Sequence, residues 1–313
     1  MNGPTVHQRL HGVLPVLQMP FTQTGEIDFE TLGKEANWLL ALGAHGLVVG
    51  LVSEVLRLSD SERTAVAEYL GELAASANTH FVMSVGAEST RQAIDNGRRA
   101  QDAGATEVMA ISPIAVNLPH SEVLRYYEAL ISALNIPVVV QDASGYIGTP
   151  LPIDMMAKLC LEFQDQVLFK PEAIPIGPRL SELRSATDGR AKVFEGTGGI
   201  SLIDSVRRGI SGTMPGSDVC WSILRMWQAM SEDDFETAYR IQGPLLALLT
   251  IQTSMDSFIA VEKHLLYRQG IFGNTLCRGP VGYELDEETK QEVDRAFEQL
   301  LDVCDRPATG ATR

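Results

Sequence analysis

Several features are scarce in this chain of 313 residues, and each scarcity excludes a class of protein. The four cysteines lie far apart with no Cys-x-x-Cys pair, so neither a zinc site nor a dithiol redox centre is indicated. The six histidines form no His-Glu-x-x-His pattern, and we expect no metal. Basic residues number 25 against 40 acidic ones, and the net charge of −15 argues against nucleic acid or an anionic membrane as a partner.

Long apolar runs are missing as well. No stretch approaches the roughly 18–20 residues that a membrane helix needs, and the N-terminal "MNGPTVHQRLHG" lacks the apolar core of a signal peptide. Hydrophobic residues make up 45% of the chain and charged residues 21%, as in ordinary globular proteins. We therefore expect a cytoplasmic globular protein with no membrane partner.

Short apolar runs alternate with amphipathic stretches of helical period, which is the βα pattern. Most of the runs are almost continuously apolar, as expected for parallel strands that are covered on both faces. Eight such runs are candidate strands: 13–21, 46–51, 81–87, 107–113, 137–143, 167–172, 192–197 and 212–216.

Eight βα units predict an α/β fold, a (β/α)8 TIM barrel. A doubly wound sheet is the structural alternative, but "MPFTQTGE" at the end of the first strand is no dinucleotide-binding turn. Ser59 with Glu62, and Ser89 with Gln92, have the spacing of helix N-terminal caps. We place the barrel at 1–230. Three helical stretches, 232–249, 251–270 and 286–304, predict a C-terminal helical extension and tail at 231–313.

Active sites of such barrels form at the C-terminal ends of the strands, so polar residues there are the candidates for chemistry. They are Ser53, Glu54, Glu88, Gln141, Asp142, Lys170, Glu172, Glu195, Ser217 and Asp218.

Lys170 is the sharpest candidate, because it ends the apolar run "VLF" in a chain with only six lysines. Apolar surroundings favour the neutral amine, which is the nucleophile that forms a Schiff base with a ketone. The alternative is a lysine that only reaches solvent or pairs with Glu172. Glu172 shares a face of the strand with Lys170 and could move protons next to the imine, or act as an ion-pair partner alone.

Glu195 ends the next strand and supplies a second carboxylate near Lys170. Two neighbouring carboxyl groups can differ in pKa and so divide the roles of acid and base. A buried structural role is the alternative for Glu195. Which of Glu172 and Glu195 would act as acid stays open at this point.

Over nearly its full length the chain resembles the dihydrodipicolinate synthase/N-acetylneuraminate lyase superfamily. The segments that carry the resemblance are 19–63, "IPVVVQDASGYIG" and "LFKPEA". The resemblance implies a (β/α)8 barrel with a helical extension, a Schiff-base lysine at Lys170, a 2-keto acid substrate, no cofactor and a homo-oligomer, either a tetramer or a dimer.

The chain departs from the synthases and lyases at several points. "GLVSE" replaces Gly-Thr-Thr-Gly-Glu after strand two, and Gln141-Asp142 replaces the pair that begins with a proton-relaying tyrosine. Tyr146 stands roughly where those enzymes have an arginine. The substrate-binding residues that we expect are Val52, Ser53, Gln141, Asp142, Tyr146 and Gly216.

At these positions the chain is more similar to the dehydratase branch of the superfamily, which includes 2-keto-3-deoxy-L-arabonate dehydratase. That similarity implies a lyase that dehydrates a sugar-derived 2-keto-3-deoxy acid, with Lys170, Glu172 and Glu195 as catalytic residues. A pyruvate-dependent aldolase of the same superfamily is the first alternative. A non-catalytic binding protein on the same barrel is the second, because "PIAV" and "GLV" make the mouth apolar.

Overall fold

The structure, a computed structural model, describes residues 9–304. Parallel strands pair in two groups in the order β1-β8-β7 and β2-β3-β4-β5-β6. Single bridges join the groups at Val16–Val48 and Phe169–Val193, so the strands close into a ring. The predicted (β/α)8 barrel is confirmed. The strands are β1 Gly12–Val13, β2 Gly46–Val49, β3 His80–Ser84, β4 Glu107–Ala110, β5 Val138–Asp142, β6 Val167–Pro171, β7 Phe194–Glu195 and β8 Gly212–Thr213.

A helix follows each strand and covers the outside of the ring, and further helices follow α8. The helices within the described range are α1 Phe29–Ala41, α2 Asp60–Ala77, α3 Thr90–Asp102, α4 His120–Ser132, α5 Ile153–Phe163, α6 Ile176–Ala186, α7 Leu202–Arg207, α8 Cys220–Ser231, α9 Phe235–Leu249, α10 Met255–Arg268 and α11 Glu287–Val303. None of the helices between residues 9 and 304 has both the length and the apolarity to cross a membrane.

The strands are apolar on both faces because each face packs against a different core. On β2, Val48 points into the barrel, where it packs with Val82 and Val139. Its neighbours Leu47 and Val49 point outward into the layer between the strands and the helices. This two-sided burial explains why the strand sequences are continuously apolar instead of alternating.

Several strands are shorter than the sequence predicted. The first run, 13–21, pairs regularly only at Gly12–Val13, although Val16 still bridges to Val48 and to Gly216. Pro15 and Pro215 lie in the first and last runs, and proline has no N–H for a strand ladder. The barrel is therefore closed there by single bridges.

The predicted cap at Ser59 is present: its hydroxyl accepts from Glu62 N–H, and the Glu62 carboxylate accepts from Ser59 N–H. Ser89 likewise accepts from Gln92 N–H at 3.2 Å. Up to residue 304 the predicted extension is helical: α9 contacts α8 and α11, and α10 contacts the 3-10 turn Leu51–Ser53 after β2. The predicted tail at 305–313 lies outside the described residues. Helix α10 therefore reaches the strand ends, where the site lies. The boundary after residue 230 stays a prediction.

Candidate active site

Lys170 and Glu172 form a buried pair at the end of β6. Lys170 Nζ lies 2.9 Å from Glu172 Oε1, and Gln141 Nε2 donates to Glu172 Oε2 at 3.0 Å. The parallel register of β5 and β6 causes this arrangement, because it sets Gln141 beside Lys170. The three side chains form one hydrogen-bonded row at the mouth of the barrel.

Burial controls the electrostatics of this row, since Lys170 and Glu172 are 5% and 2% exposed. Burial raises the pKa of the Glu172 carboxyl above its ordinary value, while Lys170 and the Gln141 hydrogen bond work in the opposite direction. A carboxyl held in this balance can both accept and return a proton, as acid–base catalysis requires.

Gly196, which follows β7, packs directly on the pair. A Cβ atom at this position would lie 2.5 Å from Glu172 Oε1 and 2.7 Å from Lys170 Cε. Such contacts are closer than van der Waals packing allows. The glycine in "EGTGG" therefore leaves the space that the pair occupies.

The row faces a cavity of about 640 Å³, a volume that includes its open mouth. Of the described residues that line it, only Lys170 is cationic, and most are apolar or glycine. The lining consists of Val16, Gly50, Leu51, Val52, Gln141, Tyr146, Lys170, Glu172, Gly196, Gly198, Met214, Pro215, Gly216, Asp218, Val219, Leu249, Gln252, Met255, Phe258 and Glu262.

Four of the predicted substrate-binding residues belong to this lining: Val52, Gln141, Tyr146 and Gly216. The Tyr146 ring stands edge-on to Phe258 of α10, with centroids 5.5 Å apart. Desolvation, followed by the nearby Glu172 and Glu195 carboxylates, raises the pKa of Tyr146. The phenol therefore keeps its proton and can donate a hydrogen bond to a ligand.

Glu195 does not line the cavity. Its Oε1 accepts from Thr197 N–H at 2.9 Å and from the Thr197 hydroxyl, and its Oε2 accepts from Thr213 Oγ1 at 2.9 Å. Both carboxylate oxygens are thus held by the ends of β7 and β8. This geometry fits the alternative of a buried structural role for Glu195. It gives no support to direct proton transfer by this carboxylate.

Ser53 and Asp142 are also outside the cavity wall. The Ser53 hydroxyl donates to Leu17 O at 2.5 Å and accepts from Gly50 N–H, so it fastens the turn after β2. Asp142 follows Gln141 on β5, and consecutive strand side chains point to opposite faces. Its carboxylate accepts from Leu151 N–H at 3.0 Å and pairs with Arg179. Both residues shape loops here, and the structure gives neither a position for substrate contact.

Two other candidates from the strand ends have structural partners. Glu54 pairs with Lys263 of α10, and both side chains are fully buried. Glu88 accepts from the N–H groups of Ile114 and Ala115, at 3.0 Å each. Neither glutamate lines the cavity.

Sequence reasoning missed the contribution of the C-terminal extension. Gln252, Met255, Phe258 and Glu262 all line the cavity from α10 and the connection that precedes it. The available signal was Glu262 beside Lys263, directly after the apolar run 258–261, since charges that continue such a run are unusual. That run gave no indication of which cavity the helix would cover.

In the part of the chain that the structure describes, no three His, Cys, Asp or Glu side chains come together as a metal site. That a reaction here needs no metal or cofactor stays a prediction.

The barrel with a buried lysine at a strand end is the architecture of class I lyases and aldolases, which bind their substrates to a lysine. The chain belongs to the dihydrodipicolinate synthetase family, whose sequence profile matches residues 9–300. Homologues in this family are oligomeric enzymes that act on small molecules. The family resemblance is therefore confirmed.

Individual relatives divide between several reactions. An L-2-keto-3-deoxyarabonate dehydratase of Azospirillum brasilense is 27% identical, over 91% of this chain and 93% of its own. A 4-hydroxy-tetrahydrodipicolinate synthase of Bartonella quintana is also 27% identical, over 92% and 97%. A probable 2-dehydro-3-deoxy-D-pentonate aldolase of Escherichia coli K12 is 24% identical, over 91% and 96%.

Among solved structures, the 4-hydroxy-tetrahydrodipicolinate synthase of Methylacidiphilum fumariolicum SolV superposes with a TM-score of 0.86 at 18% identity. The match covers 95% of this chain and 98% of that one. This likeness supports the fold.

Proposed function

We propose that the protein is a Schiff-base lyase that dehydrates a sugar-derived 2-keto-3-deoxy acid. The observation that carries the proposal is the 2.9 Å contact between Lys170 Nζ and Glu172 Oε1 inside a largely apolar cavity. A lysine that served only as a structural ion pair would not need a cavity in front of it.

In the first step, the neutral amine of Lys170 attacks the C2 ketone, and loss of water gives a protonated imine. Glu172 is within hydrogen-bond reach of the amine nitrogen and can take the ammonium proton that must leave before the attack. It then gives this proton to the carbinolamine hydroxyl, which leaves as water, so Glu172 is ionised again when the imine has formed. Gln141 orients the carboxyl by its hydrogen bond to Oε2. The cationic imine then attracts electrons from C3 and makes the C3 proton acidic.

In the second step, Glu172 removes a proton from C3, and the C–H electron pair forms an enamine. The nitrogen lone pair then re-forms the C2–N double bond, and the C2–C3 pair becomes a C3–C4 double bond. The C4 hydroxyl takes the proton from Glu172 and leaves as water. The raised pKa of Glu172 suits it to give back the proton it took. Hydrolysis of the remaining imine releases the dehydrated keto acid and restores Lys170.

The substrate carboxylate would lie against the 3-10 turn Leu51–Ser53. Gly50, Leu51 and Val52 of this segment line the cavity, and the first N–H groups of such a turn have no partner within it. Ser53 acts here by fastening the turn and not by touching the substrate. In this role it positions the backbone that would bind the anion.

Dehydration is favoured over carbon–carbon cleavage by Gln141, which stands where the superfamily's synthases and lyases have the proton-relaying tyrosine. The relative from Azospirillum brasilense, a keto-deoxy acid dehydratase by name, supports the same reading. The alternative is a pyruvate-dependent aldolase, and the Escherichia coli relative favours it. The pair at Lys170 serves either reaction, because both begin with the imine.

A non-catalytic binding protein is the least supported reading, because it leaves the Lys170–Glu172 pair without a purpose. A cytoplasmic location and a homo-oligomer, tetramer or dimer, are part of the proposal. The oligomeric enzymes among the family's homologues support the assembly.

The decisive test is borohydride trapping of the full chain with pyruvate and with a 2-keto-3-deoxypentonate, followed by intact mass and peptide mapping. Imine formation itself removes one water, so an adduct on Lys170 that is one further water lighter than the reduced imine of the intact sugar acid supports the dehydratase. A pyruvyl adduct from the same sugar acid supports the aldolase. Lys192→Ala is the matched control, since Lys192 pairs with Asp165 outside the cavity. Absence of any adduct on Lys170 would contradict both lyase readings.

A further inference from the structure

The cavity has a second polar wall, away from β6, that the steps above do not use. It consists of Asp218, Gln252 and Glu262, and we call it the acid–amide wall. Asp218 lies in the connection from β8 to α8, Gln252 between α9 and α10, and Glu262 on α10. All three are at least nineteen-twentieths buried.

Gln252 is the first indication that this wall binds something. It is 5% exposed, and neither its amide oxygen nor its amide nitrogen has a hydrogen-bond partner among residues 9–304. Buried amides almost always have partners, because an unmet donor or acceptor is costly. An amide with both atoms free at a cavity wall can donate to one hydroxyl oxygen of a ligand and accept from the next hydroxyl.

Of the two acids, Asp218 adds further free hydrogen-bonding capacity. Asp218 is 2% exposed, and its Oδ2 has no partner within the described residues. Glu262 is held by Gln18, whose Nε2 donates to Oε2 at 2.5 Å. Gly216 makes room for the other oxygen, since a Cβ there would lie 2.5 Å from Glu262 Oε1. The glycine, the glutamine and the acid are thus fitted to one another.

Charge decides which ligands the wall accepts. Burial raises the pKa of Asp218 to about 7, and burial followed by repulsion from Asp218 raises the pKa of Glu262 well above its ordinary range. Glu35 adds to the repulsion on Glu262, and Lys170 opposes it. The acids therefore hold a proton near neutral pH, and the wall offers both donors and acceptors. It lacks the additional cation that a phosphate or a second carboxylate would need.

We propose that the acid–amide wall binds the hydroxyl groups beyond C3 of the substrate and so selects polyhydroxylated, unphosphorylated 2-keto acids over short ones such as pyruvate. The inference rests on the proposed function in one respect: Lys170 holds the ketone end of the same molecule. It assigns the C-terminal extension a role in substrate recognition.

Binding can be measured without any imine, using acids in which C2 carries a hydroxyl group instead of the ketone. The probes are a 3-deoxypentonate, which has hydroxyl groups beyond C3, and lactate, which has none. With the full wild-type chain, calorimetry is expected to show at least about tenfold tighter binding of the 3-deoxypentonate. Gln252→Leu is expected to lose about tenfold in affinity for the 3-deoxypentonate and to leave lactate unchanged.

Met255→Leu is the control, because Met255 lines the cavity next to this wall with an apolar side chain. Gln252→Met replaces Gln252→Leu if the latter does not fold. Equal binding of the two acids by the wild type, or equal weakening of both by the Gln252 variants, would overturn the inference. Borohydride trapping reports separately on the proposed function: no adduct on Lys170, combined with intact discrimination between the acids, would reject the lyase and leave the wall standing.

Discussion

Residues 9–304 contain two buried lysine–glutamate pairs, and they differ in what surrounds them. Lys263 and Glu54 are fully buried behind the turn after β2. Lys170 and Glu172 are almost as buried, but they face a cavity. Burial of an ion pair is therefore not what distinguishes a site of chemistry in this barrel.

The two pairs differ in how many other protein groups their side chains contact. Lys263 Nζ also donates to Leu276 O at 2.6 Å and lies 4.7 Å from the centre of the Phe21 ring. The Glu54 carboxylate also accepts from Arg278 N–H at 2.7 Å. These contacts leave the Lys263 amine surrounded by partners within the protein. Within the described residues, Glu172 is the only ion-pair partner of the Lys170 amine.

Replacement of Lys170 should have the largest effect. Lys170→Ala is expected to abolish the borohydride adduct and to lower kcat/KM at least a thousandfold, because no other amine lines the cavity among the described residues. The free energy of unfolding should change little, since the neighbouring Glu172 can take up a proton. Lys192→Ala, the control, should keep its activity. Residual adduct formation in the Lys170 variant would contradict the assignment.

Replacement of Lys263 should instead lower the free energy of unfolding. Lys263→Met leaves the Glu54 carboxylate buried without its amine, which typically costs about 3–5 kcal/mol. Urea unfolding measures the loss, and the double variant with Glu54→Gln should recover part of it. Lys290→Met removes an exposed pair with Glu287 and should cost at most about 1 kcal/mol. A Lys263 variant as stable as this control would show that the Lys263–Glu54 pair does not stabilise the fold.

The sequence could predict Lys170 because its evidence is local. An apolar run that ends in a lysine places the amine at a strand end, and the order of the βα units gives the barrel. Glu172 follows from the two-residue period of the strand. The same period shows that Gln141 and Asp142 point to opposite faces of the strand. The sequence alone could therefore have indicated that only one of the two faces the cavity.

The remaining parts depend on contacts between distant segments. Nothing local to Glu262 or Gln252 indicates that α10 would cover the strand ends, since that depends on how the extension packs. Lys263 reads as an ordinary helical lysine until Glu54 is found across from it, 209 positions away in the chain. The Ser53 hydroxyl donates to Leu17 O and does not face the cavity, and this orientation depends on the conformation of the folded turn.

A third buried acid, Glu35, offers a test by pH. Burial raises the pKa of Glu35 to about 8 from an ordinary value of 4.5, while the hydrogen bond from Gln18 N–H and the charge of Lys263 lower it and Asp218 raises it further. The folded protein therefore keeps a proton that the unfolded chain loses above about pH 4.5. The free energy of unfolding should fall as pH rises from about 4.5 to 8.

Glu35→Gln removes this dependence while keeping an oxygen that can accept from Gln18 N–H. The variant should be more stable than the wild type at pH 8, by on the order of 3 kcal/mol, and nearly equal to it at pH 5. Urea unfolding at both values measures the difference. A constant difference across this range would show that Glu35 does not hold its proton in the folded state.

The smallest effect should come from displacing the Lys170–Glu172 pair without replacing either residue. Gly196→Ala introduces a Cβ that must displace Glu172 or Lys170, so kcat should fall about 10- to 100-fold while the fold persists. Gly273→Ala is the control, because its Cβ would meet nothing within 4 Å, and it should keep full activity. A comparable displacement of the Lys263–Glu54 pair would lower the free energy of unfolding and leave kcat unchanged. Full activity in Gly196→Ala would show that the geometry of the Lys170–Glu172 pair tolerates displacement.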